Sequence, residues 1–212
     1  MTVPTLAEFL KTSRQRLAKG PIAILLIEDE AAVARTLEHH LNAGFKVVLA
    51  LSPEPLPNHL LPKEPDERIV NLIHNSRLGN AHVTAVNAVI DAVPPDTWLY
   101  YGYNAEFLFY PFSEHRGVGK MLAFHAEERR RAMLTYVIDL YAPDLQRFPD
   151  AVSMSEAMFD RTGYYALGRK DADGRLLDRQ LDETAAALLQ ASLAERGMRF
   201  LMQAQTRALT GD

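Results

Sequence analysis

Residues 20–51 read GPIAILLIEDEAAVARTLEHHLNAGFKVVLAL, and this stretch decides the fold. Residues 22–27, IAILLI, are continuously apolar after Gly20-Pro21, the pattern of a strand buried on both faces, as in a parallel sheet. Val33, Leu37 and Leu41 then recur at four-residue steps, which gives a helix one apolar face. Gly44 stands where that helix must stop, because glycine takes the left-handed conformation without steric penalty. Residues 46–51, KVVLAL, make a second apolar run with β-branched side chains. Strand, helix, strand is a crossover unit that is right-handed almost without exception. It places Glu28-Asp29-Glu30 at the carboxyl end of the first strand, the edge at which open α/β sheets bind ligands.

Working outward, residues 52–66, SPEPLPNHLLPKEPD, hold five prolines and therefore read as a long loop rather than a helix or central strand. Residues 69–73 predict a third strand and residues 81–93 a helix, with Val83, Val86, Val89 and Ile90 on its apolar side and Pro94-Pro95 ending it. A fourth strand is expected over 98–101, a helix over 117–133 with the charged end EERRR, and a strand over 135–141. Residues 145–180 read as loop with short elements, and 180–208, rich in alanine and leucine, as a long helix or helix pair. Strands alternating with helices predict an α/β fold with a mainly parallel sheet. The expected organisation is an N-terminal helix over 1–20, with Leu6, Phe9, Leu10 and Leu17 on one side, an α/β domain over 21–170, and a C-terminal helical extension over 171–212.

Composition narrows the function classes. The 212 residues are 48% hydrophobic and 24% charged, as expected of a globular chain. Acidic side chains (27) outnumber basic ones (23), so nothing favours nucleic acid, which calls for a basic face. With no cysteine, disulfides and thiolate metal sites are excluded. No stretch approaches the ~20 apolar residues of a membrane span, and the N-terminus lacks the apolar core of a signal peptide. A cytoplasmic location is the expectation.

Four groups of residues are candidates for chemistry. Glu28, Asp29 and Glu30 can accept hydrogen bonds from a nucleotide base or ribose, or can cap the following helix through its dipole. Asn75, Arg77 and Gly79 lie in a polar loop entering a helix, with Asn87 on that helix; such a loop can hold an anion, Arg77 offering a forked donor, or it can serve turn and cap needs only. Glu106 and Glu114 are the carboxylates between residues 97 and 126, and a magnesium or manganese site wants carboxylates together with substrate phosphates. Tyr103 can stack on a base or sugar, while most of the surrounding aromatics, Tyr100 to Phe112, read as core. Asp139, inside an apolar strand, needs a partner or a cavity mouth; the Arg129–Arg131 cluster is one such partner. The histidines show no metal-ligand spacing, and no phosphate loop, nucleophile elbow or GxGxxG occurs.

Taken together, these pieces resemble the family-2-like glycosyltransferases with a GT-A, Rossmann-like fold, in the bacterial branch whose first helix carries a KNE…L…H…G signature. Here that signature reads Ile27-Glu28-Asp29-Glu30, Leu37, His40 and Gly44-Phe45. The branch's W…DxDEF…P strand is similar to Trp98, Tyr103-Asn104-Ala105-Glu106-Phe107 and Tyr110-Pro111-Phe112. Its DmY and FD..GYY segments are similar to Asp139-Leu140-Tyr141 and to Phe159-Asp160-Arg161-Thr162-Gly163-Tyr164-Tyr165. The likeness spans roughly residues 20 to 170 and rests on the order and spacing of the motifs. Three places depart from it. Tyr103 and Ala105 replace the two metal-binding aspartates, Glu28-Asp29 replaces Lys-Asn, and Ser52-Pro53-Glu54-Pro55 stands where an sDGT loop is usual.

The resemblance implies transfer of a sugar from a nucleotide-diphosphate sugar to a glycan or small-molecule acceptor. Donor binding would fall to Glu28, Asp29, Glu30, Asn75, Arg77, Gly79, Asn87, Tyr103 and Asn104. Glu106, Asp139 or Glu114 would be the general base, and Glu106 would be the ligand left for a manganese or magnesium ion. Positive charge for the departing diphosphate would otherwise come from Arg77, Arg116 or Lys120. The alternative is a relative that keeps the fold and loses the chemistry, binding a nucleotide or saccharide as a scaffold or regulator. The stripe Leu181, Ala185, Leu188, Leu189 and Leu193 would pack the C-terminal helix across the sheet or onto a second subunit.

Overall fold

The computed structural model describes residues 2–136 and 140–158 together with the strand segments 169–170, 176–177 and 199–204. Helix α1 (Leu6–Thr12) leads to strand β1 (Ile22–Leu26), helix α2 (Val33–Ala43), β2 (Val47–Ser52), β3 (Ile69–Ile73), α3 (Ala81–Ala92), β4 (Trp98–Tyr103), α4 (Val118–Glu127) and β5 (Ala132–Tyr136). Two short strands, β6 (Arg169–Lys170) and β7 (Leu176–Leu177), pair with each other antiparallel, and β8 (Arg199–Ala204) returns to the main sheet. That sheet has the order β3-β2-β1-β4-β8-β5, and every pairing in it is parallel.

Alternation along the strands builds two cores, one on each face of the sheet. Ile22, Ile24 and Leu26 of β1, Val47, Leu49 and Leu51 of β2, and Leu99 and Tyr101 of β4 meet α1 and α3 on one side. Ala23, Leu25, Val48, Ala50, Trp98 and Tyr100 meet α2 and α4 on the other. The topology explains the split. The chain moves outward from β1 to β2 and back past β1 from β3 to β4, so crossovers of one hand place α2 and α3 on opposite faces. The strand order therefore reverses between β1 and β4. Their carboxyl ends flank the crevice that such a switch point creates.

Local signals account for most boundaries. Thr5 and Glu8 form a reciprocal capping box at the start of α1. Gly44, at φ 97°, closes α2 with bonds to His40 O and Leu41 O. Two expectations are corrected. The helix expected over 117–133 ends at Glu127, because Arg129 turns left-handed (φ 56°) and the amides of Arg129 and Arg130 bond back to Ala126 O and His125 O. This helix-ending double bond usually uses glycine, so an arginine in its place hides the stop, and β5 begins at Ala132 rather than near 135. The second correction concerns 180–208: Arg199–Ala204 is a strand lying between β4 and β5. Its sequence, RFLMQA, holds helix formers, and pairing on both sides overrides that preference. The rest of the expected C-terminal helix, including the stripe from Leu181 to Leu193, lies outside the described residues, as do Asp139 and 159–165. Among the described residues, no helix is long and apolar enough to cross a membrane.

Candidate functional site

The crevice is built around the carbonyls at the end of β1 and just beyond it. Three successive ones are claimed by neighbouring segments. Leu26 O accepts from Asn104 N at 3.0 Å, Ile27 O from the buried Ser76 hydroxyl at 2.5 Å, and Glu28 O from Arg77 Nε at 3.0 Å. The segment after β4 thus docks on one side of the β1 end, and the loop between β3 and α3 docks on the other.

On the β4 side the docking is dense. Asn104 Oδ1 accepts from Glu28 N at 2.9 Å, and Asn104 Nδ2 donates to Asp29 Oδ1 at 2.5 Å and to Ala31 O at 3.1 Å. Both amide hydrogens are therefore used. Asp29 Oδ1 also accepts from Ala31 N at 2.8 Å. Asp29 accordingly shapes its own loop and does not cap α2. The cap position is Ala32, left-handed at φ 50°, with no side-chain capping bond. The capping expectation for the acidic triplet is overturned because the helix begins only at Val33, beyond reach of that turn.

Thr36, fully buried on α2, joins the two loops a second time. Its hydroxyl donates to Ala32 O at 3.0 Å and accepts from Ala105 N at 2.9 Å. Ala105 is also left-handed, at φ 61°. Two alanines in a conformation that costs each about 1–2 kcal/mol are thus tied to one side chain. Next in line, Glu106 folds back so that its Oε2 accepts from Tyr103 N at 2.8 Å. A Cβ on Gly102 would lie 2.6 Å from the Tyr100 hydroxyl and 2.9 Å from Glu106 Oε2, so any larger residue there would force those groups to shift. Burial pushes the Tyr100 hydroxyl well above its ordinary range, and the neighbouring Glu106 charge adds to the effect.

The opposite side is sparser. Arg77 is exposed and held by its Nε alone, so its terminal nitrogens have no acceptor among the described residues. Asn75 Oδ1 accepts from Arg77 N at 3.3 Å, and Gly79 lies in the exposed turn before α3. Asp29 and Glu30, in the turn after β1, are exposed as well. The crevice therefore gathers Glu28, Asp29, Glu30, Asn75, Arg77, Asn104 and Glu106. It does not gather Asn87, which lies about 9 Å along α3 from its start at 1.5 Å per residue. Nor does it gather Glu114, in the exposed turn after Phe112, or Arg116, stacked 5.2 Å from the Phe112 ring. Among the described residues, no group of three or more His, Asp or Glu side chains is arranged as a metal site would be.

Sequence reading gave no site role to Thr36, to Ser76 or to His40, which it quotes only within the helix signature. Thr36 and His40 sit one position before Leu37 and Leu41, inside the inward stripe of α2, and a polar residue repeating within an apolar stripe is the signal that could have found them. His40 is buried against Phe45 and Tyr100, with ring centroids 5.6 Å and 5.0 Å away. Its Nδ1–H donates to Thr36 O at 2.8 Å, while Nε2 has no partner among the described residues. Burial lowers its pKa to about 4. Of the aromatic run, Tyr100, Tyr101 and Tyr110 are buried and Tyr103 packs half-buried against the core, as expected, whereas Phe107 is half-buried and Phe109 and Phe112 are exposed. No family model matches the sequence, and comparisons with curated proteins and with solved structures give no match either.

Proposed function

We propose that the crevice between β1 and β4 binds a nucleotide-diphosphate sugar and that the protein transfers the sugar to an acceptor. The observation that carries this reading is Arg77. Its guanidinium is fixed at the switch-point edge through Nε and Glu28 O, with its terminal donors left for an anion, the forked geometry that suits phosphate oxygens. A diphosphate would be repelled by Glu28, Asp29 and Glu30, so the division of labour is electrostatic. The anion goes to Arg77, and the acidic side accepts hydrogen bonds from the base or ribose. The GT-A-like fold belongs to the same proposal, supported by the motif order in the sequence and by the parallel α/β sheet.

A second reading, donor binding without transfer, is favoured by one observation. Glu106, the candidate base that the crevice gathers among the described residues, is folded back with its Oε2 on Tyr103 N–H, and a base must instead reach the acceptor hydroxyl. Calorimetric titration with a panel of nucleoside diphosphates and nucleotide sugars separates the readings. Binding followed by release of the nucleoside diphosphate in the presence of saccharide acceptors supports transfer. Binding with no release supports the second reading, and no binding to any member of the panel contradicts both.

A further inference from the structure

In Asn104 the amide nitrogen lies between two oxygens. Its Nδ2 lies 2.5 Å from Asp29 Oδ1 and 3.1 Å from Ala31 O, while its own Oδ1 is fixed by Glu28 N. These contacts join the β1 loop to the β4 loop across the switch point. Carboxylate and carbonyl oxygens converging on one point are the ligand type of a hard divalent cation. Here the point is filled by two N–H donors, whose positive ends face the oxygens as a cation's charge would. Of the neighbouring groups, Glu106 has its Oε2 on Tyr103 N and Asp29 has its Oδ1 also on Ala31 N, and the Ala105 side chain supplies no ligand atom.

We propose that Asn104 is a built-in substitute for a cation: its amide holds the two loops of the crevice in place, the wild-type crevice is ordered without divalent metal, and the position is a latent metal site that one substitution opens. Asn104→Asp turns the donor into a second carboxylate oxygen facing Asp29. The two like charges repel, as neighbouring carboxylates do, until a cation enters between them. Asn104→Ala removes the link and supplies no ligand. The inference does not depend on nucleotide binding, so its test stands apart from the proposed function.

The test is thermal unfolding of the full chain as wild type, N104A and N104D, each with chelator and with millimolar manganese or magnesium, alongside the spin-resonance signal of free manganese. The wild type is expected to unfold at one temperature in all conditions. Both variants should unfold lower by about 2–4 °C or more, given the usual relation for a chain of this size. Manganese should then raise only N104D, in a concentration-dependent way, and only N104D should deplete the free manganese signal. If N104D folds only when manganese is present, that is the same result in stronger form. The proposal is overturned if the wild type is raised by manganese as much as N104D, or if N104D is unaffected by cation or fails to fold with and without it.

Discussion

The two sides of the crevice are joined to the same strand end in different ways. On the β4 side, Asn104 and Thr36 make five side-chain hydrogen bonds between them, and two left-handed alanines sit within that set. On the β3 side, Ser76 and Arg77 make one side-chain bond each to the strand end, and the arginine keeps donors facing outward. A loop whose polar groups are all satisfied internally is a scaffold, whereas a loop that holds back charged donors is where a ligand can gain contacts. The difference teaches that Asn104, one of the residues the resemblance would assign to the donor, is taken up in shaping the site; the proposed reading leaves ligand contacts to Arg77 and the exposed acidic side chains.

The largest expected effect tests the scaffold side through pH. His40 lies one turn after Thr36 on the buried face of α2. Its pKa is about 4 in the fold against 6.5 ordinarily, with His39 the neighbour whose charge also disfavours protonation. Above about pH 6.5 the ring is neutral folded or unfolded and costs nothing. Between about 6.5 and 4 the unfolded chain takes up a proton that the folded chain refuses. Stability therefore falls as pH falls, by about 3 kcal/mol across the window. Chemical denaturation as a function of pH checks this, and His40→Phe, which keeps the ring contacts, should flatten that part of the profile. An unchanged slope would mean that His40 is not the group responsible.

A smaller effect is expected at Thr36. Thr36→Val keeps the shape and removes the hydroxyl, leaving the Ala105 N–H without its acceptor and costing about 1–3 kcal/mol. A loss below about 0.5 kcal/mol would show that the β4 side is not held as described, since surface changes alone reach that size. The smallest effect has the opposite sign. Ala105→Gly relieves a left-handed alanine and should stabilise by up to about 1 kcal/mol, less whatever glycine adds to the freedom of the unfolded chain. Destabilisation beyond about 1 kcal/mol would indicate that the alanine methyl, rather than the backbone, is what the site needs.

Much of the scaffold was legible in the sequence. The unbroken apolar run 22–27, the four-residue steps of α2 and Gly44 each report a local rule, and local rules survive folding. The position of the acidic triplet and of Arg77 at one edge followed from the parallel topology. What was not legible depends on partners distant in the chain. Asn104 meets Asp29 and Ala31 across more than seventy positions, and Thr36 meets Ala105 across 69. Nothing at either end announces the other. The end of α4 was hidden because Arg129 does what glycine usually does, and β8 because a segment of helix formers is held by strands on both sides.

The most direct test of the account is calorimetric titration of the tightest-binding nucleoside diphosphate into the wild type and into Arg77→Ala, each with chelator and with manganese. The account predicts that the wild type binds equally with chelator and with manganese. It also predicts that Arg77→Ala binds at least about tenfold more weakly, the loss expected when one charge-assisted contact of about 1.5–3 kcal/mol is removed. Wild-type binding that needs manganese, or binding that Arg77→Ala leaves intact, would contradict it.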